Sequence, residues 1–347
     1  MTRIDDVARL AGVSTATVSR ALRGLPTVSA TTRERVLDAA ARLGYTASPS
    51  ASRLAGGKTR TVAVVVPRIT RWFFSTVVEA VEGRLHAAGY DLLLFNLGGS
   101  ENARQRLLYT GNLHKRVDAL MLVATPLAES DFTAVIELAL PGVTVSSGTP
   151  VPGWPSVRID DVAAARTATA HLLALGHRRI AHISGDPGDE LAFTTHIDRR
   201  RGYRDALVAC GIRPDPAMDA DATFTISGGS AATAQLLTRG EPPTAIFAAC
   251  DEMAMGAIST LRQHGLRVPE DVSVIGVDDH DVSAVVGLTT VAQPAAEQGR
   301  MAAEALLGPL AEDLDDERRG RAPAAPERVI LPTRLVVRAS TASPRAH

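Results

Sequence analysis

Apolar positions along the chain follow two different rhythms. Within the first 45 residues they recur at helical spacing. Ile4, Val7, Ala8, Leu10 and Ala11 form one stripe, Val18 and Leu22 a second, and Val36, Leu37, Ala40 and Leu43 a third. The punctuation agrees with three short helices. Thr2 is placed to cap the first, with Asp5 three positions on, and Gly12 ends it. Ser14 caps a second helix over about 15–22, closed by Gly24, and Ser29 caps a third that stops at Gly44. Only Gly12-Val13-Ser14 separates the first two, the tight turn that a helix-turn-helix requires.

From Val62 onward the rhythm changes. Short apolar runs at 61–67, 90–96, 119–125, 143–146, 156–160, 179–185, 222–226, 244–250 and 272–278 read as strands. Amphipathic stretches near 75–88, 101–115, 161–175, 198–210, 228–239, 251–264 and 294–307 read as helices between them. Strands alternating with helices of this length imply right-handed βαβ units and a mostly parallel sheet. So many strands are too much for one open sheet, so the expected class is α/β with two doubly wound lobes. The segment 308–327, rich in proline and charge, reads as an exposed loop.

Composition then narrows the function. A 347-residue chain that is 45% hydrophobic is neither disordered nor fibrous. Its formal charge of −1 argues against nucleic acid until the chain is divided. Residues 1–60 carry ten basic and four acidic side chains, a net of +6, which leaves −7 for the remainder. A basic head is thus attached to an acidic body. Cys210 and Cys250 form no metal-binding spacing and read as buried reduced thiols, so no metal is expected. The N-terminus lacks an apolar h-region and no apolar run approaches about 20 residues. A signal peptide and a membrane span are therefore not expected, and the chain is expected in the cytoplasm, on the nucleoid. A P-loop, a GxSxG elbow, an HExxH helix and a GxGxxG turn after the first strand are all missing. Neither catalytic residues nor a cofactor are assigned, and an enzyme is not the expected reading.

In the head, Val18 and Leu22 point inward, which leaves Thr15, Ala16, Ser19, Arg20 and Arg23 accessible. The hydroxyls of Ser14, Thr15 and Thr17 at a helix start can meet phosphates, and small side chains allow close approach to base edges. Arg20 has the fork to grip guanine O6 and N7. Further on, Ser48-Pro49-Ser50-Ala51-Ser52-Arg53-Leu54-Ala55-Gly56 reads as a mini-helix with a serine cap and a glycine stop. Too short to be stable alone, it suits a hinge that folds on DNA and inserts Leu54 into the minor groove. A plain linker with Leu54 docked on the body fits the same residues.

These segments together carry a resemblance. Ile4-Asp-Asp-Val-Ala-Arg-Leu-Ala-Gly-Val-Ser-Thr-Ala-Thr-Val-Ser-Arg-Ala-Leu22, Val28 to Val36, Leu43-Gly-Tyr45, His171 to Ala181, Gly276-Val-Asp-Asp279 and Leu331 to Arg338 stand in family order. The chain resembles the lactose/galactose repressor (LacI/GalR) transcription regulators over nearly its whole length. The resemblance implies a helix-turn-helix head at 1–46, a hinge with a minor-groove helix at 47–59, and an effector-binding and dimerisation body at 60–340. The body would be periplasmic-binding-protein-like, with an N-subdomain of 60–160 and 292–325 and a C-subdomain of 161–291 and 326–340. It also implies major-groove reading by Thr15, Ala16 and Arg20, and minor-groove entry by Ala51 and Leu54.

Matching the family's effector positions are Phe73, Phe74, Asp160, Arg199, Phe224 and Asp278. Arginine and aspartate suit ring hydroxyls, and aromatics suit the apolar face of a sugar or base. Three of these also fit plainer roles: Phe224 as core, Asp160 as a helix N-cap, and Asp278 as a loop-capping acid. Arg199 lies in an Arg199-Arg200-Arg201 run, so its register is open by one residue. Departures from the family pattern are Arg23, Ala47-Ser48, Arg71-Trp72, Ser147 and Cys250. The cleft thereby loses polarity at Ser147 and Cys250 and gains a platform at Trp72. The implied partners are a second copy of the chain, a pseudo-palindromic duplex operator, and a small-molecule effector, expected to be a sugar or sugar derivative. The alternatives are a solute-binding protein without DNA function, and the same regulator with a purine, nucleoside or phosphorylated effector.

Overall fold

The computed structural model describes residues 3–22, 26–45, 58–125, 127–148, 150–188, 194–312 and 328–345. Arg23, Ala51, Leu54 and, apart from residues 58 and 59, the whole expected hinge at 47–59 lie outside them. Two compact units result, one of residues 1–60 with Lys115–Asp118 and one of the remaining chain.

The head is three helices: α1 (Ile4–Ala11), α2 (Thr15–Leu22) and α3 (Ala30–Arg42). Its N-terminal cap is displaced from the expected one. Arg3 is the N-cap of α1, and its backbone N–H donates to Asp6 Oδ2 at 2.9 Å, so Asp6 and not Asp5 closes the first turn. Gly12 takes φ 64° at the end of α1, a left-handed conformation that costs a residue without Cβ nothing. Ser14 accepts from the Thr17 N–H at 3.2 Å and Ser29 from that of Thr32 at 3.3 Å, both as expected. Arg35 ties α3 to α1 by donating to the Ala11 carbonyl at 2.8 Å. Val7, Ala8, Ala11, Val18, Ala21, Val28, Val36, Ala39 and Ala40 make the core. Leu10 and Leu37, expected inside, are about half exposed, and Ala39, outside the expected stripe, is buried.

In the body, two six-stranded sheets account for the twelve strands among the described residues. The first holds β1 (Thr61–Val66), β2 (Asp91–Asn96), β3 (Ala119–Val123), β4 (Gly142–Val145), β5 (Ser156–Ile159) and β11 (Arg328–Leu331), in the order β11-β5-β4-β3-β1-β2. The second holds β6 (Ile180–Gly185), β7 (Asp219–Ala222), β8 (Ala245–Ala248), β9 (Ser273–Asp278), β10 (Thr289–Ala292) and β12 (Arg334–Val336), in the order β12-β10-β9-β8-β6-β7. All pairs are parallel except β10–β12.

Helices cover the faces: α4 (Trp72–Ala87), α5 (Glu101–Tyr109), α6 (Glu129–Glu137) and α12 (Ala295–Glu312) on the first lobe. On the second are α7 (Asp161–Ala174), α8 (Thr195–Ala209), α9 (Ile226–Thr238), α10 (Asp251–Gln263) and the single turn α11 (Ser283–Val286). Because helices flank both faces, a strand such as β1 is buried at every residue after Thr61, the continuous apolar run of a parallel sheet. Val77, Val81 and Leu85 of α4 pack with Ala302 and Leu306 of α12 over Val62, Val64 and Val66.

Several elements differ from the sequence expectation. The strand placed at 222–226 is instead 219–222, since Thr225 caps α9 and ends the extended run. The helix expected over 101–115 stops at Tyr109, and α6, α11 and the late strands were not anticipated. The first residues of the loop expected over 308–327 are helical instead: α12 runs through Pro309 to Glu312, with Leu310 buried, and residues 313–327 lie outside the described residues. Finally, β11 pairs with β5 in register Val329–Val157, so the chain returns to the second lobe between Leu331 and Arg334 rather than at 326.

At the centre of the second sheet His182 is fully buried between the Tyr203 and Phe247 rings, with centroids 5.0 and 4.7 Å away. Its Nδ1 faces the Phe247 carbonyl at 3.0 Å. Burial pushes its pKa down to about 4. The unfolded chain, at the ordinary value of about 6.5, therefore takes up the proton first. Stability contributed by neutral His182 is complete above pH ~6.5 and lost as pH falls toward 4, up to about 3 kcal/mol. Urea unfolding at pH 7 and pH 5 should show this loss in the wild-type chain and a smaller one in His182→Leu. An identical pH dependence in both would count against it.

Candidate ligand cavity and nucleic-acid face

Both sheets have the doubly wound order in which the second strand lies outside the first, so each has a switch point beside its first strand, β1 or β6. Ligands of open α/β sheets bind beyond the carboxyl ends of the strands at such points. A cavity of about 310 Å³ lies there between the two lobes. The segment after β1 supplies Arg68, Arg71, Trp72, Phe73 and Phe74, and the ends of β3 and β4 supply Ala124 and Ser146. From the other lobe come Asp161 of α7, Asp186 after β6, Thr195, His196 and Arg199 of α8, and Thr223, Phe224, Thr225 and Ser227 around the start of α9. Cys250, the N-cap of α10, Glu252 in its first turn, Asp278 at the end of β9, and Gln293 complete the lining.

At the polar end, Arg199 is only 4% exposed and its Nε donates to Asp161 Oδ1 at 2.8 Å. A second guanidinium nitrogen donates to the Ala249 carbonyl, which fixes the fork. Asp278 stands nearby on strained backbone, φ 143°, and accepts from Gln293 Nε2 at 2.6 Å. Burial pushes the Asp278 carboxyl up to about 7, against the pull of the Arg199 guanidinium. Burial also raises the Cys250 thiol well above its ordinary value, so this sulfur stays protonated and is a small apolar wall rather than a nucleophile.

The apolar end is aromatic. Phe73 and Phe74 meet edge to face at 5.5 Å, and Trp72 lies 5.4 Å from the His280 ring of the opposite lobe. Arg71 bridges the same gap through Glu252 Oε2 at 3.2 Å. Phe224 approaches the end of β6 only because residue 185 is glycine: a Cβ there would stand 2.4 Å from the phenyl edge and 2.7 Å from His196 Cβ.

The structure brings Trp72, Phe73, Phe74, Arg199, Phe224, Cys250 and Asp278 together around one space. Two expected residues are not among them. Asp160 is the N-cap of α7, its carboxylate turned to the Ala163 N–H at 2.9 Å, and the next residue, Asp161, faces Arg199 instead. Ser147 is buried off the lining; beyond β4 the chain turns at Ser146, with φ 49°, which puts the Ser146 hydroxyl in the cavity. Sequence reading missed Arg68, Ser146, Asp161, Asp186, Thr195, His196, Thr223, Thr225, Ser227, Glu252 and Gln293. Most sit one or two residues beyond a strand or in the first turn of a helix, which is the positional signal that could have found them.

On the head, Ser14, Thr15, Ala16 and Arg20 are exposed and Thr17 and Ser19 half-buried, so the start and one side of α2 form an accessible polar face. Ser14 and Thr17 share a hydroxyl hydrogen bond at 2.9 Å. Among the described residues no group of three or more His, Cys, Asp and Glu could hold a metal, and no helix is long and apolar enough to cross a membrane.

The family model "Bacterial regulatory proteins, lacI family" matches residues 3–48, and "Periplasmic binding protein-like domain" matches residues 169–341. The chain is 37% identical to the HTH-type transcriptional repressor CytR of Escherichia coli K12 over 341 residues, covering 97% of this chain and 95% of that one. Among solved structures, a complex of the transcriptional regulator CelR with cellobiose superposes with a TM-score of 0.71 at 34% identity, covering 98% and 100%. A lac repressor dimer bound to operator and the anti-inducer ONPF superposes with 0.81 at 29% identity, covering 98% and 99%.

Proposed function

The chain belongs to the lacI family of bacterial regulatory proteins, and from that premise we propose a homodimeric repressor whose grip on a pseudo-palindromic operator is altered by a sugar or sugar derivative. The observation that carries this reading is the cavity itself. It joins a buried Arg199–Asp161 pair and Asp278 at one end to Trp72, Phe73, Phe74 and Phe224 at the other. Hydroxyls of a sugar ring can satisfy both charges of a guanidinium–carboxylate set, while its C–H faces lie on aromatic rings. The role is regulation and not catalysis, with the Cys250 thiol held protonated.

In the head, Thr15, Ala16 and Arg20 would read base edges, while Ser14 and Thr17 would meet backbone phosphate. Ala51 and Leu54 would enter the minor groove between the two half-sites. Effector binding would draw the lobes together, changing the spacing of the two heads and hence operator affinity.

A gel-shift series with the DNA upstream of the chain's own gene tests the DNA part. Specific binding is expected to fall by about 10³-fold or more between about 50 and 200 mM salt, because a +6 head in each of two copies displaces counterions. Binding no tighter than to random duplex, or insensitive to salt, would overturn it. For the effector part, thermal melts with sugars and nucleobases are the measurement. A ligand at about 100 times its Kd should add roughly 2.7 kcal/mol.

A further inference from the structure

One buried polar chain runs behind the cavity and joins the two lobes. Asp278 ends β9 in the second lobe and accepts from Gln293 Nε2 at 2.6 Å. Gln293 lies in the crossover between β10 and α12, and its Oε1 accepts from Gln298 Nε2 at 3.1 Å. Gln298 belongs to α12, on the first lobe, and its Oε1 accepts from the Ser146 hydroxyl at 2.7 Å. Asp278 is 6% exposed, Gln293 7% and Gln298 0%.

The direction of this chain is set by one end. The Gln293 amide nitrogen faces Asp278, whose carboxyl oxygen accepts from it. That leaves the Gln293 oxygen toward Gln298, whose nitrogen must meet it, and the Gln298 oxygen toward Ser146, whose hydroxyl must donate. All three donors therefore point toward Asp278, and each bond polarises the next. Both ends are held on backbone in the left-handed region, Ser146 at φ 49° and Asp278 at φ 143°, with Asp279 following at φ 61°. Conformations of that kind persist only where surrounding contacts hold them, and they collect at ligand clamps and switches. Ser146, Gln293 and Asp278 line the cavity, and Gln298 does not.

We infer that Gln298 is a positioning residue that couples the two lobes: it transmits effector engagement at Asp278 to Ser146 and the first lobe without touching the effector. The inference rests on the effector reading given above. A hydroxyl donated by the effector to Asp278 competes for the oxygens that orient Gln293, and the chain relays that change through the crossover to β4. Breaking it at Gln298 therefore uncouples effector binding from operator release while sparing both end sites.

The test uses the full-length chain and its operator, with a screen of monosaccharides, disaccharides and ribonucleosides that includes ribose, cellobiose and adenosine. The compound giving the largest change in wild-type operator affinity is carried forward. Gln298→Met keeps the volume and removes both hydrogen bonds. It should bind ligand-free operator within about threefold of wild type, bind the compound within about tenfold, and lose tenfold or more of the compound's effect on operator affinity, the usual size of such couplings. Ser146→Ala deletes only a hydroxyl at a half-buried position. Because Ser146 lines the cavity, its affinity for the compound is titrated first, and loss of coupling with compound affinity kept within about tenfold supports the relay if Gln298→Met fails to fold. A residue that merely fills space would lower the melting temperature and leave the ratio of operator affinities with and without compound unchanged; that outcome overturns the coupling role. If no compound changes wild-type operator binding, the effector reading itself is overturned, and the inference with it.

Discussion

Replacing Arg199 with methionine is expected to abolish the response to effector and to destabilise the body by about 3–5 kcal/mol, the range for breaking a buried charge pair from one side. Arg199 and its partner Asp161 are 4% and 11% exposed at the side chain. The guanidinium is the counter-ion for Asp161 and also sits beside Asp278. Removing it leaves two buried carboxyl groups without their principal counter-ion, with only the weaker pull of Arg158 on Asp161 remaining. Methionine fills the volume, so the loss is electrostatic and not a cavity effect. Effector affinity should fall by about 100-fold or more, since charge-assisted hydrogen bonds at a desolvated site contribute about 1.5–3 kcal/mol each. Thermal melts and ligand titration separate the two effects. Adding Asp161→Leu removes the orphaned charge and should recover part of the stability but none of the ligand binding. Wild-type stability and wild-type ligand response in Arg199→Met would together refute this account of the site.

What the sequence made legible follows from where the physics is local. Helix caps such as Ser14 and Ser29, and the apolar run of β1, are decided by residues a few positions apart, and these were readable. The head cap was misplaced because Asp5 and Asp6 are adjacent and either spacing fits. The cavity was legible in its aromatics and in Arg199 and Cys250, whose places follow from a family pattern. It was misread at Asp160 and Ser147 for a shared reason. In each case two neighbouring polar residues compete for one role, and backbone direction at an element boundary decides which of them turns inward. Asp160 satisfies the first orphan amides of α7, which frees Asp161 for Arg199. Ser146, at φ 49°, takes the cavity position that regular strand alternation would not assign. The pairing of β11 with β5 was invisible because it joins residues far apart through a crossover that no local pattern marks.

The Gln293–Gln298 link illustrates the same limit from the other side. Both glutamines stand in an ordinary helix start, Ala292-Gln293-Pro294-Ala295-Ala296-Glu297-Gln298, and nothing in that spacing singles them out. Only the fold, by bringing β9 and β4 to either end of them, turns two amides into a continuous bridge.

Introducing a carboxylate at Val18 is expected to remove specific DNA binding and to leave the ligand cavity intact. Val18 is 0% exposed in a head core whose nine buried members, among the described residues, include nothing larger than valine. Such a core buries little apolar area, so the head has a narrow margin of stability. An unpaired aspartate there carries a desolvation cost of several kcal/mol, more than that margin. In Val18→Asp the α2 face of Thr15, Ala16 and Arg20 therefore ceases to exist as a rigid unit. Operator binding should drop by about 10³-fold or more, to the level of random duplex. The body has its own cores, drawn from residues 62–335, so its melting transition and its ligand titration should be unchanged. Leu37→Ser supplies the control. That leucine is 50% exposed, and its replacement should shift stability by no more than about 0.5 kcal/mol. Operator binding by Val18→Asp at wild-type strength would mean that α2 is not the DNA-reading element. A loss of ligand binding in the same variant would mean that the body does not hold its cavity independently of the head.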